Sequence, residues 1–200
     1  PLNDGTEAHP LDTVQAAWDR IPHIVRHQVT IHLKDGTYKE GVRLYSRHLG
    51  GNSIAIQGRP GQPGDPMPVV FNCGPSIQNR AFDIADVSGS GNLDIKKIEI
   101  TTCLYDGITS NNSKQIRLEN VKINNVGRYP VDIYRTTISL YNSKISGNFM
   151  LRDYSIAGID QTSSITGTLQ ASNHSYAGCH INASVPSVSI STGALIESCD

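Results

Sequence analysis

Leu93-Asp-Ile95-Lys-Lys-Ile98-Glu-Ile100 and Ile116-Arg-Leu118-Glu-Asn-Val121-Lys-Ile123 carry apolar residues at the same offsets, 0, 2, 5 and 7. Ile138-Ser-Leu140-Tyr-Asn-Ser143-Lys-Ile145 keeps three of the four. A spacing of two is the alternation of a strand with one buried face, so each unit reads as two short strands hinged at a two-residue corner. From about residue 93 to the end the pattern returns every 21 to 23 residues. One unit alone cannot bury its apolar side. It does so by stacking on its neighbours, which predicts an all-β solenoid. A β-sandwich with regularly recurring strands is the competing reading. Against it stand Asn120 and Asn142, 22 residues apart and both at the corner, with Lys97 at the matching place one unit earlier. Asn tolerates a left-handed backbone, and stacked Asn side chains can bond to each other as a ladder. A sandwich gives no reason for that interval.

The chain divides into residues 1–58, a capping helix and first strands; 59–92, an irregular loop and early rungs; and 93–200, regular rungs of one continuous domain. At 38% hydrophobic and 18% charged, 200 residues suffice for one sizeable core, and disorder is not indicated. The net charge is −1 and the basic residues are scattered, so neither nucleic acid nor an anionic membrane is an expected partner. The longest apolar runs fall well short of a membrane span, and no membrane insertion is expected. The Pro-Leu-Asn-Asp opening without Met and the Glu-Ser-Cys-Asp ending without a capping helix suggest a piece of a longer protein.

Asp12-Thr-Val-Gln15 reads as a capping-box start, after which Val14, Ala17, Trp18 and Ile21 lie on one helical face until Pro22 forbids continuation. Val29, Ile31 and Leu33 then alternate into an Asp35-Gly36 turn; Val42 with Leu44, and Ile54 with Ile56, mark two further strands. The helix is expected to plug an end of the coil that would otherwise expose core side chains and strand edges. The proline-rich stretch from Gly58 to Pro68 reads as a projecting loop. From Ile159 onward Ser, Thr and Ala replace large apolar residues, giving thin rungs.

Cys73, Cys103, Cys179 and Cys199 show no CxxC pair and no histidine at zinc-ligand spacing, so no metal is expected. They read as buried thiols, with a disulfide between Cys179 and Cys199, one rung apart, as the alternative. His23 and His27 are four residues apart, but Pro22 breaks the helix before them and no third ligand is visible. Solvent or structural roles are assigned to both. Asn111, Asn173 and Asn182 open Asn-x-Ser sequons, a weak pointer to secretion.

Three stretches together resemble the opening of the pectin-lyase-like right-handed parallel β-helix superfamily: Thr13-Val-Gln-Ala-Ala17, Val29-Thr-Ile-His-Leu-Lys-Asp-Gly-Thr-Tyr38-Lys-Glu40 and Ser53-Ile-Ala-Ile-Gln-Gly58. Asn3-Asp-Gly-Thr6 shortly before the helix makes the chain look most like bacteriophage tailspike and tail-fibre β-helices. The resemblance implies a right-handed coil with three parallel sheets, a homotrimer on a virion tail beside other tail proteins, and bacterial surface polysaccharide as ligand. Secretion is the alternative location. Gly36-Thr-Tyr38-Lys-Glu40 matches an early GxYxE element of pectinesterases, yet the QDTL-like, DFIFG-like and LGRPW-like segments are missing; Gly58-Arg-Pro60 echoes the last but comes far too early. The RxPxxR-like stretch of pectate lyases is missing too, so pectin de-esterification is not expected, no calcium site carries over, and no cofactor is implied.

Any site therefore has to come from the rungs. Tyr105, Asp106, Arg128, Tyr129, Asp132, Tyr134, Arg135, Arg152, Asp153 and Tyr154 follow the repeated strand pairs and would line one side of the coil, where a glycan could lie against aromatic faces. Asp132 and Asp153, with Asp106 one rung away, are the candidate catalytic carboxylates. Adjacent strands lie about 4.8 Å apart, and glycosidic hydrolysis needs carboxylates roughly 5 to 9.5 Å apart. A β-elimination using Arg or Tyr is the other chemistry considered. The tyrosines and arginines are the candidate substrate-binding residues. The same aspartates can instead cap turns, and the same faces can instead meet other copies in a trimer. Three functions follow: a polysaccharide-binding tail module, a depolymerase (glycoside hydrolase or lyase), or a structural virion shaft.

Overall fold

The computed structural model describes residues 4–59, 67–74, 80–180 and 183–197. It contains a helix α1 (Val14–Asp19) and, in chain order, strands β1 (Val29–His32), β2 (Gly36–Tyr38), β3 (Val42–His48), β4 (Ile54–Gln57), β5 (Val69–Gly74), β6 (Phe82–Ser88), β7 (Leu93–Cys103), β8 (Ile108–Asn111), β9 (Ile116–Ile123) and β10 (Val131–Tyr134). The order continues with β11 (Thr137–Tyr141), β12 (Lys144–Ile145), β13 (Phe149–Arg152), β14 (Ile156–Ile159), β15 (Ser164–Ile165), β16 (Thr168–Ala171), β17 (Tyr176–Cys179), β18 (Ser187–Ile190) and β19 (Leu195–Glu197).

The protein is all-β with parallel sheets: every ladder between these strands is parallel. One sheet runs β1-β4-β7-β9-β11-β14-β17-β19, and a limb β2-β5 and β12-β15 joins it through the second halves of β7 and β9. The other sheet runs β3-β6-β8-β10-β13-β16-β18. Strand register aligns like with like. Ile31, Ile56, Ile95, Leu118, Leu140, Ile159 and Cys179 form one column of facing residues, all buried. A single apolar cluster runs from Val14 to Val185.

The corners explain the repeat. Lys97, Asn120 and Asn142 have φ of 57°, 53° and 45°, and Asn142 Nδ2 donates to Asn120 Oδ1 at 2.5 Å. The residue after a left-handed corner turns inward and is often Ser or Thr. The Ser143 hydroxyl accepts from Val121 N, that of Ser163 from Ser143 N, that of Thr136 from Ser113 N and that of Ser155 from Thr136 N. These buried columns satisfy amides that the bend takes out of the ladders.

The helix cap lies one residue later than Asp12-Gln15 suggests. Thr13 is the N-cap, its hydroxyl accepting from Ala16 N at 3.0 Å, while Glu40 Oε1 accepts from Val14 N at 3.0 Å. Glu40 thus supplies the acceptor that a local box would have drawn from Gln15. That frees Gln15 to pair both backbone groups of Arg43 on the edge strand β3 (3.1 and 2.7 Å). Arg47 Nη2 donates to Trp18 O at 3.1 Å with its guanidinium 5.1 Å from the Trp18 ring centre, locking the helix down. His23 Nδ1 lies 3.0 Å from Ser46 O.

After the bend at Asp35, Gly36 starts a strand that the sequence did not suggest, β2, which pairs in parallel with Val69–Phe71 of β5. One expectation changes. The cysteines are not free thiols, for Cys73 and Cys103 form a disulfide (Cα–Cα 4.7 Å) that ties β5 to β7, and Cys179 is disulfide-bonded. The Cys199 end of the alternative Cys179 pairing, Asn182, and residues 60–66 of the proline-rich loop lie outside the described residues. The thinning after Ile159 is real: Ala171, Ala177 and Ala183 are buried, while Val188, Ile190 and Leu195 are exposed.

Candidate functional site

Along β6, β8, β10 and β13 the inward positions are Phe82, Ile108, Val131 and Phe149, and the next outward positions are Asp83, Thr109, Asp132 and Met150. A second outward row holds Ala85, Asn111, Tyr134 and Arg152. Strand alternation therefore delivers a polar outer face without any loop having to fold over it. A cleft of about 330 Å³ opens there, lined by Asp83, Thr109 and Asp132 of the first row, Asn111, Tyr134 and Arg152 of the second, Ser110 between them, and Arg80 and Arg128 from the preceding bends.

Opposite charges alternate across this cleft. Asp106 is fully buried and saturated with donors: Arg80 Nε at 3.2 Å, Arg128 Nη2 at 2.6 Å and Nε at 2.8 Å, and Tyr129 N at 3.3 Å. Asp132 accepts from Arg152 Nε at 2.8 Å and lies 3.8 Å from Arg128 Nη2. Asp83 accepts from Thr109 Oγ1 at 3.0 Å and from the Tyr45 hydroxyl, and lies 3.9 Å from Arg80 Nη1. The Arg152 guanidinium sits 5.5 Å from the Tyr129 ring centre and 5.4 Å from that of Tyr134. Ion pairs and rings together fix its plane.

The two partners of the Asp132–Arg152 pair titrate in a way that ion pairing alone does not give. Burial raises the Asp132 carboxyl above its ordinary value, with the like charge of Asp106 adding to it, against the pull of Arg152 and Arg128. Arg152 is desolvated too, but Asp132 holds it above its ordinary value. Burial decides for Asp132 because it is 5% exposed, whereas the Arg152 side chain keeps 27% of its surface. A raised carboxyl contributes stability that is complete below the ordinary carboxylate value and is lost as pH rises through the raised one. Glu99 and Asp160 act in the opposite sense and at lower pH: burial pushes both up, but hydrogen bonds from Lys122 and Asn124, and from Ser163 and Thr162, hold them low. Asp132→Asn is expected to flatten the fall in stability just above the ordinary carboxylate range, measured by urea unfolding between about pH 3 and 7.

The structure brings Asp106, Arg128, Tyr129, Asp132, Tyr134 and Arg152 together. It does not bring Asp153 to Asp132. Register sets Asp132 opposite Met150, and Asp153 lies three residues further on, at a left-handed corner (φ 48°) where it accepts from Asn173 Nδ2 at 2.7 Å. Tyr154, beside it, stacks on His174. Arg135 occupies the matching corner one unit earlier (φ 44°). Tyr105 is exposed, and its carbonyl accepts from Arg128 N at 2.8 Å. Asp83 and Arg80 complete the cleft from within residues 59–92. The alternation Phe82-Asp83-Ile84 was a signal for Asp83; Arg80 gave none. No family model, no curated protein and no solved structure matches this chain.

Proposed function

We propose that the chain is a right-handed parallel β-helix, with α1 capping its first rung, that binds bacterial surface polysaccharide on the outer face of β6, β8, β10 and β13. The handedness rests on the strong preference of parallel crossovers for the right hand. The Arg–Asp–Tyr cleft carries the reading. Rigid guanidiniums and tyrosine faces on a flat polar surface suit the hydroxyls and C–H faces of an extended glycan. The resemblance of residues 3–22 to phage tail proteins is the ground for a virion tail and a homotrimer. The disulfide bonds favour work in oxidising surroundings, which also suits secretion.

One observation favours cleavage as a second reading. Asp83 and Asp132 are outward neighbours across Thr109, two strands apart, so their Cα atoms lie about 9.5 Å from each other. Side chains rising from that Cα separation leave room for the wide carboxyl spacing of inverting hydrolysis, about 6.5 to 9.5 Å, and burial raises the Asp132 carboxyl above its ordinary value.

Incubation with an array of capsular and cell-wall polysaccharides, reading retention and new reducing or unsaturated ends, tests both. Retention without cleavage is the expected outcome, weakened at least tenfold by Arg152→Ala, a loss of about 1.4 kcal/mol. New ends abolished by Asp132→Asn would establish the hydrolase instead. Retention of no polysaccharide would refute the binding function.

A further inference from the structure

The bend that follows the sheet containing β3 and β18 changes shape partway along the chain. The Arg135 bend turns with a lone left-handed residue, while the β6–β7 and β8–β9 bends carry two that are not adjacent, Asp86 with Gly89 and Asn112 with Gln115. From β13 onward the two are consecutive: Asp153-Tyr154 (φ 48° and 64°), Asn173-His174 (51° and 61°) and Thr192-Gly193 (49° and 70°). The second residues of these pairs form a column of their own. The Tyr154 and His174 rings stack at 5.3 Å and 10°, and a Cβ on Gly193 would sit 3.1 Å from the His174 ring. Glycine there lets the imidazole lie close against the next bend.

The column has a free end. The bend before Tyr154 has only Arg135 and no second left-handed residue, and Tyr154 is 67% exposed. Left-handed backbone is tolerated by His but unfavourable for a bulky Tyr, so Tyr154 presents its ring to solvent at a local backbone cost. Tyr154 also follows Arg152 of the cleft by only two residues, so the ring stands where the cleft meets the bend. We propose that Tyr154, backed by His174, is a stacking platform for a pyranose whose one face carries only C–H groups, extending the ligand path beyond the Arg–Asp cleft. This rests on the polysaccharide-binding function and adds a second contact to it. The ring face offers its π cloud to polarised C–H groups, and the imidazole behind it keeps the plane fixed.

The test is calorimetric titration of the oligosaccharide most strongly retained from the bacterial array, using wild type, Tyr154→Phe, Tyr154→Ala and Tyr154→Gly. The phenylalanine variant should bind within about twofold of wild type, and the alanine and glycine variants about tenfold more weakly. Glycine relieves the left-handed strain, so Tyr154→Gly should keep a Tm no lower than wild type while losing affinity. Wild-type affinity in Tyr154→Ala overturns the platform and leaves the cleft standing. A Tm loss in Tyr154→Gly that parallels its affinity loss also overturns it, by making the ring a structural filler. If wild type retains no oligosaccharide, the binding function and the platform fall together.

Discussion

Asp106→Ala is expected to destabilise the protein by about 4 kcal/mol, the cost of removing one partner from a buried ion pair. For a chain of this length that lowers Tm by about 10 °C. The carboxylate is 0% exposed and gathers Arg80, Arg128 and the Tyr129 amide, so its loss leaves two guanidiniums and an amide without their shared acceptor. Arg128→Ala should cost clearly less, because the Arg128 side chain is 45% exposed and Arg80 stays bonded to Asp106. Urea unfolding of both variants measures the difference, and equal losses would contradict the role of Asp106 as the hub. A carboxylate that accepts four hydrogen bonds and is 0% exposed positions the cleft, which separates Asp106 from Asp132.

Loss of the Cys73–Cys103 bond, through paired serine substitutions, is expected to cost about 3 to 4 kcal/mol by the loop-closure argument for a separation of 30 residues. Both sulfurs are buried, so the serines also place hydroxyls in an apolar setting. The bond ties β5 to β7, and Arg80 follows β5 in the chain. The paired variant should therefore lose glycan retention sooner on warming than it loses the far-UV signal of the remaining strands. Simultaneous loss of both signals at the wild-type temperature would contradict this.

The repeat was legible because burial of one strand face imposes a period of two, and because a left-handed corner selects Asn. Offsets 0, 2, 5 and 7 become strand, corner and strand in β7 and β9, with Lys97 and Asn120 at the bend. β2 was not legible. Asp35-Gly36 has the chemistry of a hairpin turn, and only the parallel partner Val69–Phe71, 33 residues on, makes an edge-joining strand of it. The interval also hid the disulfide: Cys73 and Cys103 are 30 residues apart, further than the 21 to 23 of the regular pattern.

The site was legible as composition and obscure as geometry. Arg128, Asp132 and Arg152 stand out as charged residues after repeated strands, but which carboxylate meets which guanidinium depends on register. Arg152 aligns with Tyr134, and its side chain reaches back to Asp132, whereas Asp153, one residue later, has already turned the corner to meet Asn173. A shift of one residue moves a side chain to the other face or round the bend. That sensitivity separates the pairing expected between Asp132 and Asp153 from the pairing found.

Thr30, Ser139 and Glu197 lie in one outward column, Thr30 four strand spacings from Ser139 and seven from Glu197. Pulsed electron-spin distance measurement between labels at 30 and 139, and between labels at 30 and 197, reads the stacking directly. Strands piled in register give about 19 Å for the first pair and about 34 Å for the second. A second distance equal to or shorter than the first would mean that the chain folds back on itself, and neither the column nor the cleft built on it would exist.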